Sequence, residues 1–229
     1  NNGDFYGLKP EIAYNYGISY NQKFNLFDRK GDITFDFYKT DFKNQIVVDW
    51  ENPSEISFYN VDKGGKANSF QLELNYSPFK HFNIRTAYKL QGITNNYISG
   101  EKQQPLQAKK RFFTNLSFQT HQTEKGANWK FDYTFNWQSK QRIPDTGIYS
   151  LKYQQPYYSS DHSIMNAQIT KVFSSQFEWY FGGENLTNEK QLDPVLGADN
   201  PFGMNFDTTL IHSHILGATY YTGIRFNIK

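Results

Sequence analysis

The strongest constraint in this sequence is an alternation of large apolar and polar side chains that returns in one segment after another. Trp129, Phe131, Tyr133, Phe135 and Trp137 alternate with Lys130, Asp132, Thr134, Asn136 and Gln138. Successive side chains of a strand point to opposite faces, so this period specifies a strand with one apolar and one polar face. Ile12, Tyr14, Tyr16, Ile18 and Tyr20 repeat the pattern against Ala13, Asn15, Gly17, Ser19 and Asn21. It closes the chain as well, where Ala218, Tyr220, Thr222, Ile224, Phe226 and Ile228 oppose Thr219, Tyr221, Gly223, Arg225, Asn227 and Lys229. Weaker versions around Phe35, Leu72, Tyr88, Leu116, Ala167 and Trp179 bring the expected total to nine strands. In the second strand the apolar parity changes from Ile33, Phe35 and Phe37 to Phe42, Ile46, Val48 and Trp50. A parity change inside one strand needs an extra residue, and a bulge within residues 39–43 supplies it.

The connections constrain the architecture further. After the first strand they run short, long, short, long to the end of the chain, with Gly, Pro and polar residues in the long ones. That asymmetry, with aromatics at strand ends, is the pattern of an antiparallel up-and-down transmembrane β-barrel, an all-β fold with tight turns on one side and long loops outside. Composition agrees: aromatics make up 18% of the residues, yet mean hydropathy is well below zero. No apolar run is long enough for a membrane helix, whereas a membrane strand needs only about 9–11 residues, every second one apolar. Alternation alone is equally expected of a soluble barrel or sandwich whose apolar face points inward. Nine is an odd number, and single-chain bacterial barrels have an even one. Residues 1–229 are therefore expected to be one unit, a C-terminal portion of a larger barrel, with residues 1–11 as the tail of an outer loop. A net charge of +2 without a basic stripe argues against nucleic acid. The absence of cysteine excludes disulfides and thiolate metal sites.

Four segments carry a family resemblance: Leu8-Lys9-Pro10-Glu11 before an aromatic strand, Phe70 to Tyr76 after a Gly-rich loop, Gly182-Gly183-Glu184-Asn185-Leu186-Thr187-Asn188, and Tyr220 to Ile228. Together and in this order they resemble the C-terminal half of a TonB-dependent outer-membrane receptor, in a form similar to those of Bacteroidetes. The resemblance implies a 22-stranded barrel around an N-terminal plug, of which this chain supplies the last nine strands. It further implies import of a scarce large nutrient, such as a ferric siderophore, cobalamin, haem, another metal chelate or an oligosaccharide. TonB would supply energy through the plug and TonB box, neither of which is present in this sequence. Outer-membrane lipid and lipopolysaccharide, the barrel-insertion machinery and a surface lipoprotein are the other implied partners. Lys229 departs from the aromatic residue on which the family commonly closes, and Phe226 can serve in its place.

Candidate ligand contacts lie in the outer loops. Tyr149, Tyr153, Tyr157 and Tyr158 offer rigid amphipathic rings within one long loop, and Trp50, Tyr59 and Tyr97 flank two others. His212 and His214 are two apart, so on a strand they would share a face and could reach a metal or haem iron. Equally, the tyrosines can pack their loop on itself and the histidines can be ordinary loop residues, so no metal or cofactor is assigned. Tyr220, Ile224, Phe226 and Ile228 are expected to form the barrel-closing strand. Asp32, Asp36, Glu73, Arg85, Lys89, Glu178 and Arg225 fall on polar strand faces, which in a barrel line the lumen. Ser159, Asp161 and His162 sit too close along one loop to converge as a catalytic triad, and no other constellation suggests an enzyme. Transport is the leading expectation. A passive porin-like or adhesin-like barrel, or a soluble glycan-binding β-sandwich, are the alternatives.

Overall fold

A computed structural model describes residues 6–52, 55–124 and 126–228. Its strands are β1 (Ile12–Leu26), β2 (Arg29–Asp49), β3 (Ser57–Val61), β4 (Lys66–Phe79), β5 (Phe82–Tyr97), β6 (Gly100–Gln103), β7 (Lys110–Gln119), β8 (Asn128–Gln138), β9 (His162–Val172), β10 (Phe177–Glu184) and β11 (Thr219–Phe226). Nine of them form one antiparallel path, β1-β2-β4-β5-β7-β8-β9-β10-β11, each paired with its neighbour. These are the nine segments that alternation marks out. The other two, β3 and β6, extend β2 and β5 as hairpin arms; β6 falls within residues that the sequence pattern assigns to a loop, and β3 where that pattern begins the return strand, near Ile56. Among the described residues β1 and β11 do not pair, so the sheet is open.

Register keeps the two faces distinct across the whole path. Phe82, Phe118, Phe131, Ile169, Phe181 and Thr222 stand opposite one another in a single cross-strand row. Ring pairs Phe82–Phe118 and Phe118–Phe131 reinforce it, with centroids 6.5 and 6.1 Å apart. These side chains remain well exposed, Phe118 at 42% and Phe181 at 45%, because among the described residues no second layer packs on them. Burial of large apolar side chains is the main force of folding, so a continuous unburied aromatic face needs an apolar solvent or a partner. The opposite face carries a polar ladder. Arg85 bonds Glu73 at 2.9 Å, Glu178 receives both Arg225 at 3.0 Å and Lys130 at 3.2 Å, and Asn75 donates to Asp32 at 3.1 Å.

The bulge has a definite place. Ile12 pairs with Asn44 and Ala13 with Phe42, leaving Lys43 as the extra residue. Ile46 and Val48 are thereby returned to the face of Phe35 and Phe37. Phe42 precedes the bulge and lies on the polar face, a correction to the parity read from sequence. At the tight end, β1 and β2 are joined by Phe27 and Asp28 alone, with φ of 52° and 57°. Two consecutive left-handed residues make the hairpin turn whose twist matches that of its strands. The closing strand is shorter than its alternation suggests. It ends at Phe226, so Tyr220, Ile224 and Phe226 belong to β11 while Ile228 lies beyond it, and Lys229 is outside the described residues.

Candidate functional site

All four long connections leave the sheet at the same end, because every strand of the path is antiparallel to the next. They knit into one layer. The chain before β1 joins it: Lys9 and Asn60 exchange two hydrogen bonds, and Glu11 accepts from the amide of Ile46. Residues 9–11 thus lie at the long-loop end, as the odd strand count implies.

The centre of this layer is an ion pair between two loops. Arg142, with a side chain only 1% exposed, grips the Glu51 carboxylate through both terminal nitrogens, Nη1 donating to Oε2 at 2.9 Å, while its Nε donates to the Gln103 carbonyl at 2.6 Å. Lys102 reaches the same carboxylate at 3.2 Å. Burial works to lower the Arg142 pKa, but the bonded Glu51 outweighs it and the guanidinium is held above its ordinary value. Beside this pair sits a small apolar core of Ile143, Tyr149, Leu196 and Leu210, against which Trp50, Leu106 and Tyr153 pack.

Most of the candidate aromatics serve this architecture. Tyr97 is buried, with its hydroxyl held by Asn95, which in turn accepts from Gln45. Gln45 also accepts from the amide of Gly65, where a Cβ would come within 1.9 Å of the Thr94 carbonyl oxygen. Tyr149 is buried and donates to Asp207 at 3.0 Å, and burial followed by that carboxylate pushes its phenol pKa up. Tyr59 donates to Asp49 at 2.6 Å, and burial together with that bond raises it to about 12. Tyr153 donates to Asp199 at 2.9 Å, which holds the Asp199 carboxyl below its usual value.

Tyr157 and Tyr158 differ. Both are exposed, their rings meet edge to face at 4.9 Å, and the Lys140 ammonium lies 4.6 Å from the Tyr158 centroid. An aromatic pair backed by a cation is suited to an anionic or aromatic ligand. His212 and His214 lie in the loop ahead of β11 and not on a strand. The His212 amide donates to Gln191 Oε1 at 2.8 Å and its carbonyl accepts from Gln141, while the His214 carbonyl accepts from the amide of Gln191. Among the described residues no three His, Asp or Glu side chains converge as a metal site. His212 instead lines a cavity of about 230 Å³ with His162, Glu189, Ser159 and Ser213.

The Gly182 to Asn188 segment works as a clasp. A Cβ on Gly182 would lie 2.5 Å from the Tyr221 ring, which crosses from the neighbouring strand. Asn185 turns the chain with a φ of 51°, and its side chain bonds the backbone of Glu189 and the carbonyl of Leu216. Sequence reasoning missed Arg142, Glu51 and Gln191, which bear no periodic signal. It also missed Leu151, Phe202 and Met204, apolar residues left almost fully exposed on loop tips. Those tips are joined where the amide of Ser150 donates to Asn205 at 3.0 Å.

In sequence, residues 1–224 match the family described as TonB dependent receptor-like, beta-barrel. The chain belongs to this family. Its members are TonB-dependent transporters and not enzymes. No protein of curated function matches the TonB-dependent receptor chain in sequence. Solved structures share the fold: the ferric-catecholate import receptor Fiu of E. coli K12, at TM-score 0.62 and 13% identity, matches over 98% of this chain and 29% of its own. The ferripyoverdine receptor of the outer membrane of Pseudomonas aeruginosa, bound to ferripyoverdine, gives TM-score 0.64 and 11% identity over 96% of this chain and 27% of its own. A complex of FpvAI with pyocin S2 gives TM-score 0.63 and 13% identity, over 96% of this chain and 28% of the other. The chain therefore spans less than a third of these receptors, and its nine-strand path corresponds to a segment of their barrel wall.

Proposed function

We propose that this chain forms the C-terminal part of the wall, and four of the outer loops, of an outer-membrane TonB-dependent receptor that imports a scarce large nutrient of the ferric-siderophore or metal-chelate class. The observation that carries this reading is the combination of an unburied aromatic face, a charged opposite face, and long loops fastened into one layer by Arg142 and Glu51. The first face meets lipid, the second surrounds a plug supplied by other parts of the protein, and the loop layer meets ligand. TonB acts through those other parts. Lipopolysaccharide, the barrel-insertion machinery and a surface lipoprotein are further partners on this reading.

Within the loop layer, Tyr157 and Tyr158 with Lys140 are the proposed first contacts for an anionic ligand. Trp50, Tyr59, Tyr97, Tyr149 and Tyr153 hold the loops that present them, and His212 and His214 border the adjoining cavity. The direct experiment is uptake of radiolabelled ferric siderophores by cells carrying the intact gene, with and without TonB. Uptake that requires TonB supports the proposal. Uptake that persists in its absence favours the passive porin-like barrel.

A further inference from the structure

The membrane-facing side of β8 to β11 holds one charge that its neighbours do not answer. Trp129, Lys171, Trp179 and Ile224 form a cross-strand row, two rungs of it aromatic and one cationic. The Lys171 ammonium lies 4.7 Å from the Trp129 ring centroid and 6.0 Å from that of Phe173. It makes no ion pair and no hydrogen bond with any described residue. Glu178, the nearest acidic residue along the next strand, points to the other face, where Lys130 and Arg225 already hold it. The row stands just inside the tight end, since Trp129 is the second residue of β8 and Lys171 the last but one of β9.

On the reading of this face as membrane-facing, an unpaired ammonium at that depth sits where phosphate groups begin. Aromatic rings beside it stabilise the cation but cannot neutralise it. The tight turns mark the periplasmic side of such barrels, so the phosphates within reach are those of the periplasmic leaflet. We propose that Trp129, Lys171 and Phe173 form a binding site for an anionic glycerophospholipid of that leaflet. The Lys171 ammonium takes the phosphate, the aromatic rings flank the glycerol region, and the acyl chains run over Phe131, Ile169 and Phe181.

The test is native mass spectrometry of the intact receptor in detergent, titrated with phosphatidylglycerol, phosphatidylcholine or lipid A. Wild type is expected to retain phosphatidylglycerol in preference to the other two. Lys171→Gln should lower that preference about fivefold, the effect of losing one lysine near an anionic surface, and Lys171→Arg should keep it. Trp129→Leu serves as a second variant with a reduced preference, and heat-modifiable migration verifies that each variant is folded. A Gln variant with undiminished preference, or a wild type that retains lipid A as strongly, would overturn the site. Failure of the membrane reading looks different: the protein would stay soluble without detergent and retain no lipid of any kind.

Discussion

Replacing Arg142 by Ala should loosen the loop layer while leaving the barrel wall intact. The guanidinium supplies two bonds to Glu51 and one to the Gln103 carbonyl, from a side chain only 1% exposed. Its removal leaves a nearly buried carboxylate with Lys102, at 3.2 Å, as its remaining cation. Breaking a buried pair by deleting one partner costs about 3–5 kcal/mol, and the remaining lysine places this case at the lower end, about 3 kcal/mol. That corresponds to about a hundredfold rise in the open population of the loops. Amide hydrogen exchange resolves the effect, because local openings are reported segment by segment. Exchange should accelerate at Leu106, whose amide donates to the Arg142 carbonyl, and at Ile143, while β7 and β8 keep their protection. The double variant Glu51→Leu with Arg142→Met should recover much of the loss, since the stranded charge disappears with its partner. Unchanged loop exchange in Arg142→Ala, or acceleration spread equally over the spanning strands, would refute the reasoning.

Other outcomes follow from the same structure. Gly182→Ala should displace the Tyr221 ring and cost about 1–3 kcal/mol of overpacking, read as a lower melting temperature of the heat-modifiable form. Asn185→Ala should cost about 1–3 kcal/mol locally through the lost bonds to Glu189 and Leu216, measured as faster exchange across the segment before β11. Tyr59 has its pKa raised on folding, so its contribution is fully present below the ordinary tyrosine value and is lost as pH rises through about 12. Absorbance titration at alkaline pH should therefore show a late component that shrinks in Tyr59→Phe, while the contribution of Tyr149, whose phenol is also pushed up, remains. Leu72→Arg should cost about 2–4 kcal/mol as a charge on the lipid face, whereas Gln71→Arg, on the polar face of the same strand, should be tolerated, both read by folding yield in vesicles.

The strand path was legible because its physics is local. Trp129 to Gln138 states its two faces by alternation, and the parity change after Phe37 required the extra residue that Lys43 supplies. Strand ends were less legible: β5 runs on to Tyr97 and β11 stops at Phe226, since pairing depends on partners and not on pattern. The loop layer was hardly legible at all. Arg142 and Glu51 lie 91 residues apart, and neither sits in a periodic segment that would mark it. Tyr149 and Tyr153 were visible as rings in a loop, but their partners Asp207 and Asp199 come from the next long connection. The two histidines suggested a shared strand face, and the chain instead keeps them ahead of β11, fixed by Gln191.

The central claim is that the aromatic face meets lipid and the polar face does not. Neighbouring positions in β9 test it most directly, with Ile169 on the aromatic face and Gln168 on the polar one. Single cysteines placed at each in the intact receptor, labelled with a fluorophore and reconstituted in vesicles, report their surroundings through quenching by nitroxide-bearing lipid. The account predicts strong quenching at Ile169→Cys and little at Gln168→Cys, which an aqueous quencher should reach instead. Equal access of the aqueous quencher to both, or a reversal of the two, would contradict it.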